Sequence, residues 1–578
     1  MTREEPRARH GPDEPPAHPH PADDPAAALT IGRGHHRAGR LSDAERIYRQ
    51  ILDAHPNDAD ALHLLGLAAY QAGRHERAVE LIRCAIRNQP KNAQFLNNLG
   101  AVYLALAKPR KAVRCFYQAL EIDPKSADAH YNLANALAEQ GRPDEAIARY
   151  ERALEIDPDS ADGHNNLGSV LQKQGRLDEA TACYDRALEI DPDCAEAHKN
   201  LGVVLSAQGR LEEAIACTRR SLEIDPNSAQ THFNLGTALK NQGKMEDAIG
   251  CYRRALEIDP DYAEAHSNYG VTLLASGRFR EGWAEYDWRW KSGGSRRREF
   301  SQPPWDGSPL DGKTILLHAE QGLGDTIQFI RYARLVADRG GRIAVECQPQ
   351  LTRLLGTMPE LDHVLAKGDA LPAFDVHAPL LSLPMIFDTT PETIPGDVGY
   401  IRADGRLVEA WKDRLSGFAG RKVGLCWQGN PEFPGDRWRS IPLKYFAVLL
   451  DDPSSTFINL HKGAGEGQIA ECGLTDRIVN YGAEVTSLVD TAAIMENLDL
   501  VITSDTSVAH LAGAMGRPVW TLLQFAPNWR WVGEREDTPW YPTMRLFRQK
   551  FRGDWQGVFT DVGRALAGLA SAPYTKGR

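Results

Sequence analysis

The stretch Asp128–Ala161, DAHYNLANALAEQGRPDEAIARYERALEIDPDSA, decides the first half of the fold. His130, Leu133 and Leu137 share one helical face, and that helix ends at Gly141. A second amphipathic run begins near Asp144 and carries Ala146, Ile147, Tyr150 and Leu154. It stops at Asp157-Pro158, because proline has no amide donor and disfavours helix in the residue before it. The unit is a helix hairpin, and it recurs. Pro56, Pro90, Pro124, Pro158, Pro192, Pro226 and Pro260 follow one another at steps of 34. The same step links Ala44, Ala78, Ala112, Ala146, Ala180, Ala214 and Ala248, and also Gly66, Gly100, Ala134, Gly168, Gly202, Gly236 and Gly270. An aromatic column runs through Phe116, Tyr150, Tyr184, Tyr252 and Tyr286, interrupted by Thr218. The small residues let paired helices approach closely, and a single hairpin cannot bury its own apolar face. The reading is therefore a stacked α-solenoid with a concave groove.

These columns resemble the tetratricopeptide repeat over residues 26–291, about eight units, with the usual early tryptophan absent and the first unit degenerate. Asn98, Asn132, Asn166, Asn200, Asn234 and Asn268 form a further column on successive first helices. It is similar to the asparagine ladder of O-linked N-acetylglucosamine transferases, which implies an acceptor groove gripping a polypeptide backbone. An amide both donates and accepts, so it suits that task; the alternative is bonding within the repeats. His130, His164, His198, His232 and His266 form a parallel column that reads as packing rather than metal binding. Asp-x-Asp at Asp157–Asp159, Asp191–Asp193 and Asp259–Asp261 falls on the turns between repeats and is discounted as a metal site.

Composition bounds the rest. The 578 residues are 42% apolar and 25% charged, which suits several globular domains. A net charge of −11 argues against a nucleic-acid-coating protein, and no apolar run is long enough for a membrane span. Residues 1–25, rich in Pro, His and Asp, read as a disordered tail without a secretory h-region, and His10, His18 and His20 as part of it. Nine scattered cysteines without a CxxC pair suit unbridged thiols and a cytoplasmic location. All 12 tryptophans lie at Trp283 or later. Trp283, Tyr286, Trp288 and Trp290, with Gly282 in place of the small alanine, mark the last repeat as one that docks on a second domain. Residues 292–312, continuing the Gly, Ser, Arg and Pro-rich stretch that opens at Lys291, read as a linker.

From Lys313 short apolar runs alternate with helical stretches. Strands are expected at Thr314–Leu317, Arg342–Cys347, Lys422–Trp427, Thr456–Leu460, Leu498–Thr503 and Pro518–Leu523. Two such series imply two Rossmann-like halves, 313–420 and 421–545, with ligands bound between their strand carboxyl ends. Residues 546–578 hold a closing helix bearing Val558, Val562, Leu566 and Leu569, and a tail. Three loops carry candidate chemistry. In Gly322-Leu-Gly-Asp325, Asp325 is either a helix cap or a general base at the cleft floor, and Gly324 permits close approach. In the second, Asn430, Arg437 and Arg439 precede Ser440-Ile-Pro442, and the two arginines suit a diphosphate. In the third, Asp505 suits ribose hydroxyls, Thr506 and Ser507 open a helix suited to phosphate, and His510 lies one turn in, as a donor or a structural histidine. Lys462 joins the donor set.

In this order the loops resemble those of heptosyltransferase-like glycosyltransferases of family 9. The resemblance rests on Gly324-Asp325, on Arg439 before Pro442, and on Asp505-Thr506-Ser507 through His510-Leu511-Ala512. Ser507 stands where that family has Gly, and Arg439 where it often has Lys. The resemblance implies a metal-independent, cofactor-free GT-B fold of two Rossmann-like halves. In it Asp325 is the base candidate, and the second-half residues bind a nucleotide-sugar. The layout is also similar to O-linked N-acetylglucosamine transferases and to tetratricopeptide flagellin glycosyltransferases. The expectation is transfer of a sugar to Ser or Thr hydroxyls of a protein acceptor held by the repeats. The alternatives are a glycan or lipid-linked acceptor with the repeats as a docking arm, and a non-catalytic scaffold.

Overall fold

The computed structural model describes residues 24–293, 297–433, 435–526 and 528–570. They form two compact units that divide between Pro226 and Asn227. Most of the expected N-terminal tail, including His10, His18 and His20, lies outside the described residues; so do positions 294–296 of the linker and 571–578.

The first unit contains, among the described residues, six helix hairpins from Pro25–Arg37 to Leu211–Ile224. Each feature of the repeat has a mechanical cause. The first helices start behind side-chain caps: Asp58, Asn92, Ser126 and Ser160 each accept an amide bond from the opening turn. The glycine column lies against the aromatic column. A Cβ on Gly100 would sit 2.4 Å from the Phe116 ring, and one on Gly168 would sit 2.8 Å from Tyr184. Where Thr218 interrupts the aromatics, Gly202 meets its hydroxyl instead, at 2.5 Å. Between the two helices of a hairpin, Gly39, Gly73, Gly141, Gly175 and Gly209 adopt left-handed φ between 71° and 84°. Ala107 holds the same place in the third hairpin with φ 52°, a conformation that costs a residue with a Cβ.

The second unit opens with two more hairpins, Ala229–Asn241 with Met245–Ile258 and Ala263–Ala275 with Phe279–Tyr286. In the final one the glycines meet backbone and leucine rather than an aromatic ring. A Cβ on Gly270 would lie 2.5 Å from the Tyr286 backbone nitrogen, and one on Gly282 would lie 2.7 Å from Leu274. Its aromatics dock on the domain that follows. Trp283 is buried edge-on to Trp529 and donates its indole N–H to the Thr389 carbonyl at 3.1 Å. Arg289, in the turn Asp287–Trp290, pairs with the buried Glu320 and bonds the Ser382 hydroxyl.

Two all-parallel sheets follow. The first has strands β1 (Thr314–His318), β2 (Arg342–Cys347), β3 (His363–Ala366) and β4 (Val376–Pro379) in the order β3-β2-β1-β4. The second has β5 (Arg421–Cys426), β6 (Ser455–Asn459), β7 (Leu500–Ser504), β8 (Val519–Leu523) and β9 (Met544–Arg548) in the order β6-β5-β7-β8-β9. The central strands are buried on both faces, as parallel strands covered by helices must be. The chain is thus an α-solenoid followed by an α/β region of two parallel sheets.

Three strands were not expected. β3 is a partly exposed sheet edge, β4 is four residues long, and β9 alternates Met544, Leu546 and Phe547 with charged residues. β9 also straddles the boundary read at 545/546. The run after β1 is a helix Leu323–Phe329, a tighter turn Ile330–Tyr332 and a short helix Ala333–Ala337 rather than one continuous helix. The closing helix Trp555–Ala570 packs Val558, Val562 and Leu566 against the second sheet's core, while Leu569 is exposed. No helix among the described residues is long and apolar enough to cross a membrane.

Ala107→Gly should stabilise the repeats by about 0.5–1 kcal/mol, the relief of left-handed strain less the added chain entropy. The urea midpoint of the repeat transition, followed by far-ultraviolet circular dichroism, should rise; a fall would show that Ala107 is unstrained.

Candidate functional site

Both sheets present their strand carboxyl ends to one cavity of about 1350 Å³ within the second unit. It is lined by the loop after β1 (Gln321–Asp325), the loop after β5 (Gln428–Asn430), Arg439, Lys462, and the turn Asp505–Val508 with His510. Asn528, Trp529 and Arg530 line it from the loop after β8. Lys240, Asn241, Met245, Val271, Thr272 and Ala275 of the last two hairpins line it as well.

Asp325 is engaged through both carboxylate oxygens. Its Oδ2 accepts the Gly322 N–H at 2.9 Å, a capping contact, while Oδ1 forms an ion pair with the Arg530 guanidinium. Gly324 is explained by packing. A Cβ there would lie 2.7 Å from Cδ2 of His510, so glycine lets the helix Leu323–Phe329 close on the helix Ser507–Ala514.

His510 is buried, stacked on Trp531, with Nδ1 3.0 Å from the Tyr541 hydroxyl. Burial, with Arg530, Arg331 and Arg439 nearby, drives its pKa well below the ordinary histidine value, so the ring is a neutral imidazole. It does not bond Asp505. Burial pushes the Asp505 carboxyl up, opposed by the Trp531 side chain and by the charges of Arg439 and Arg530. The Thr506 hydroxyl faces Thr503 at 3.2 Å, inside the fold. The helix Ser507–Ala514 begins with no side-chain cap, as do many of the repeat helices, and its first residues Ser507 and Val508 line the cavity.

Arg439 is held from behind. Buried Asp436 accepts its Nε at 3.0 Å and the Ser440 hydroxyl at 2.6 Å, and the Ser440 oxygen in turn accepts the Gly429 N–H at 3.1 Å. Asn430 closes a turn by accepting the Glu432 N–H at 3.1 Å. Lys462 lines the cavity and donates to the Gly482 carbonyl at 3.0 Å. Arg437 differs from the rest of the expected donor set: it is exposed, lies over the Trp438 ring at 4.7 Å, and does not line the cavity.

Most of the asparagine column is engaged between repeats, and Asn234 within its own helix. In the first unit Asn98, Asn132, Asn166 and Asn200 lie 2.8, 3.1, 2.7 and 3.0 Å from His63, Asn97, Tyr131 and Asn165, each 35 positions earlier in the chain. In the second unit Asn234 accepts from Gln230, and Asn268 accepts from cavity-lining Lys240 at 2.8 Å. Burial holds Lys240 down to about 8. His130, His164, His198 and His266 place Nε2 within 3.1 Å of the carbonyl of the turn proline six residues earlier. Asp193 and Asp261 close Asp-Pro-Asp turns through their own amides. No cluster of three or more potential metal ligands occurs among the described residues.

Arg530, Asp436 and Lys240 were missed. Arg530 had a sequence signal: Trp529-Arg530-Trp531 repeats the motif Trp288-Arg289-Trp290, and both arginines neutralise a carboxylate after β1.

Comparison with known proteins fits this layout. Tetratricopeptide-repeat families match residues 29–93, 93–126, 115–148, 134–175, 159–227, 217–250 and 236–277. The family described as Glycosyltransferase family 9 (heptosyltransferase) matches residues 470–533. The chain is 28% identical to Protein FlbA of Caulobacter vibrioides over 319 residues, 50% of this chain and 53% of that protein. It thus spans about half the length of that curated relative. Among solved structures, YrrB, a TPR protein with an unusual peptide-binding site, is 27% identical, with 32% of this chain and 96% of that one covered at a TM-score of 0.29. The APC/C hetero-tetramer Cut9-Hcn1 is 19% identical over 46% of this chain and 52% of that one, at 0.38. Tetratricopeptide-repeat matches thus run through residues 29–277, and within the α/β region residues 470–533 resemble glycosyltransferase family 9.

Gly324→Ala should lower the unfolding midpoint, costing about 1–3 kcal/mol because backbone and a buried ring must part. An unchanged or raised midpoint would show that the contact with His510 is yielding.

Proposed function

We propose that this chain is a GT-B glycosyltransferase that moves a sugar from a nucleotide-sugar to a Ser or Thr hydroxyl of a protein. One observation carries the reading. A carboxylate on the first sheet, cationic and amide donors on the second, and two repeat hairpins line a single cavity. Asp325 takes the acceptor's hydroxyl proton, the hydroxyl oxygen attacks the anomeric carbon, and the bond from that carbon to the diphosphate breaks. Arg439, Lys462 and the opening amides at Ser507 and Val508 meet the charge that develops on the departing diphosphate, and Asp505 takes the ribose. These donors do the work that a metal does elsewhere, so no metal or cofactor is assigned.

The protein acceptor follows from the cavity wall. Lys240, Asn241, Val271 and Thr272 belong to repeat helices, so a polypeptide on the repeats is delivered beside Asp325. The column Asn98, Asn132, Asn166, Asn200, Asn234 and Asn268 supports such a chain with the amide valences left over from its internal bonds. Groove contacts then raise the local hydroxyl concentration to the order of mM.

Intact-mass analysis of proteins co-expressed with the full chain tests this. One or more should gain the mass of a sugar, and Asp325→Asn and Arg439→Ala should each cut the gain by about 10²-fold or more. A glycan gaining the sugar while proteins do not would favour a carbohydrate acceptor. No added mass on either would leave the chain a scaffold.

A further inference from the structure

Asp325 is poorly set to accept a proton in the arrangement seen. Both its oxygens are engaged, Oδ2 by the Gly322 N–H and Oδ1 by Arg530.

Arg530 has contacts besides Asp325 that keep its side chain at the cavity. It is 6% exposed, lies 4.5 Å from the Trp529 ring and donates through Nη1 to the Asn528 side chain at 2.7 Å. Its Nε is buried with no partner, although the side chain lines the cavity. The turn that carries it is held at a cost. Val532, a β-branched residue, adopts φ 26°, and Gly533 N–H is fixed to the Ala275 carbonyl at 3.0 Å. The other cavity cations have partners that leave Asp325 alone: Arg439 holds Asp436, Lys462 holds the Gly482 carbonyl and Lys240 holds Asn268.

We infer that Arg530 is a shared cation, neutralised by Asp325 while the cavity lacks a donor and by the donor's diphosphate once it is bound. The inference rests on the donor-site reading above. Its consequence is order: the diphosphate draws the guanidinium from Oδ1, and that oxygen then faces the acceptor hydroxyl as a free base. Arg530 is thus a positioning residue for Asp325 and a donor contact. A nucleotide-sugar must enter before the acceptor can be activated, because only the diphosphate competes for the guanidinium fork.

Calorimetry of the full chain with inorganic pyrophosphate tests the exchange, with melting curves confirming the fold of each variant. Asp325→Asn removes the competing carboxylate, so pyrophosphate should bind on the order of tenfold tighter, since Arg530 no longer has to leave a partner. Arg530→Gln should weaken binding by a similar factor, and in that background Asp325→Asn should add nothing. If Arg530→Gln does not fold, Arg530→Lys keeps the charge without the fork and should lose most of the gain. Unchanged or weaker binding in Asp325→Asn would overturn the exchange, as would a gain that persists without Arg530. Transfer separates this from the parent reading. Loss of transfer in Asp325→Asn with pyrophosphate affinity unmoved refutes the exchange and keeps the base; neither moving refutes both.

Discussion

The contact between Asp325 and Arg530 spans the two parallel sheets, the carboxylate coming from the loop after β1 and the guanidinium from the loop after β8. Both groups are largely out of water, where an ion pair must recover the hydration it loses through good geometry and further hydrogen bonds. The surroundings supply them: the Gly322 amide on one side, Asn528 and the Trp529 ring on the other. The same positive charge helps keep His510 neutral and draws on Asp505. Burial is the larger cause of both shifts, and the guanidinium adds to it at His510 and opposes it at Asp505.

The last two hairpins are part of this site. Arg289 and Glu320 bury a second ion pair at the foot of the β1 loop, Arg289 lies over the Tyr286 ring, and Tyr286 and Trp283 both pack on Trp529. Aromatic side chains bury large areas with defined geometry, which suits a junction that must hold repeat helices against the cavity. This accounts for the tryptophan step in the composition. Repeats packed through glycine against tyrosine leave no room for an indole, whereas the docking hairpin is built on one. The division between compact units after Pro226 shows that packing groups the seventh and eighth hairpins with the sheets, although their sequence is that of the repeats.

The periodic half was legible because each column answers a local steric need that recurs unchanged, as Gly100 against Phe116 and Gly168 against Tyr184 show. The first-sheet carboxylate and the uncapped helix at Ser507 were legible because strand–loop–helix junctions announce themselves. β3, β4 and β9 were not, being short or partly exposed and without a continuous apolar run. Arg437 and Arg439 are equivalent on paper; only the buried Asp436 turns one inward and leaves the other on Trp438. The Trp-Arg-Trp setting of Arg530 marked the residue but not its partner. Its partner lies 205 positions away, and pairing at that distance leaves no spacing to read.

A crystal structure of the full chain with a nucleoside diphosphate tests the account most directly. The diphosphate should lie against Arg439, Arg530 and the amides of Ser507 and Val508, with the Asp325 Oδ1 released from the guanidinium. A diphosphate bound elsewhere, or bound there with Arg530 still on Asp325, would contradict it.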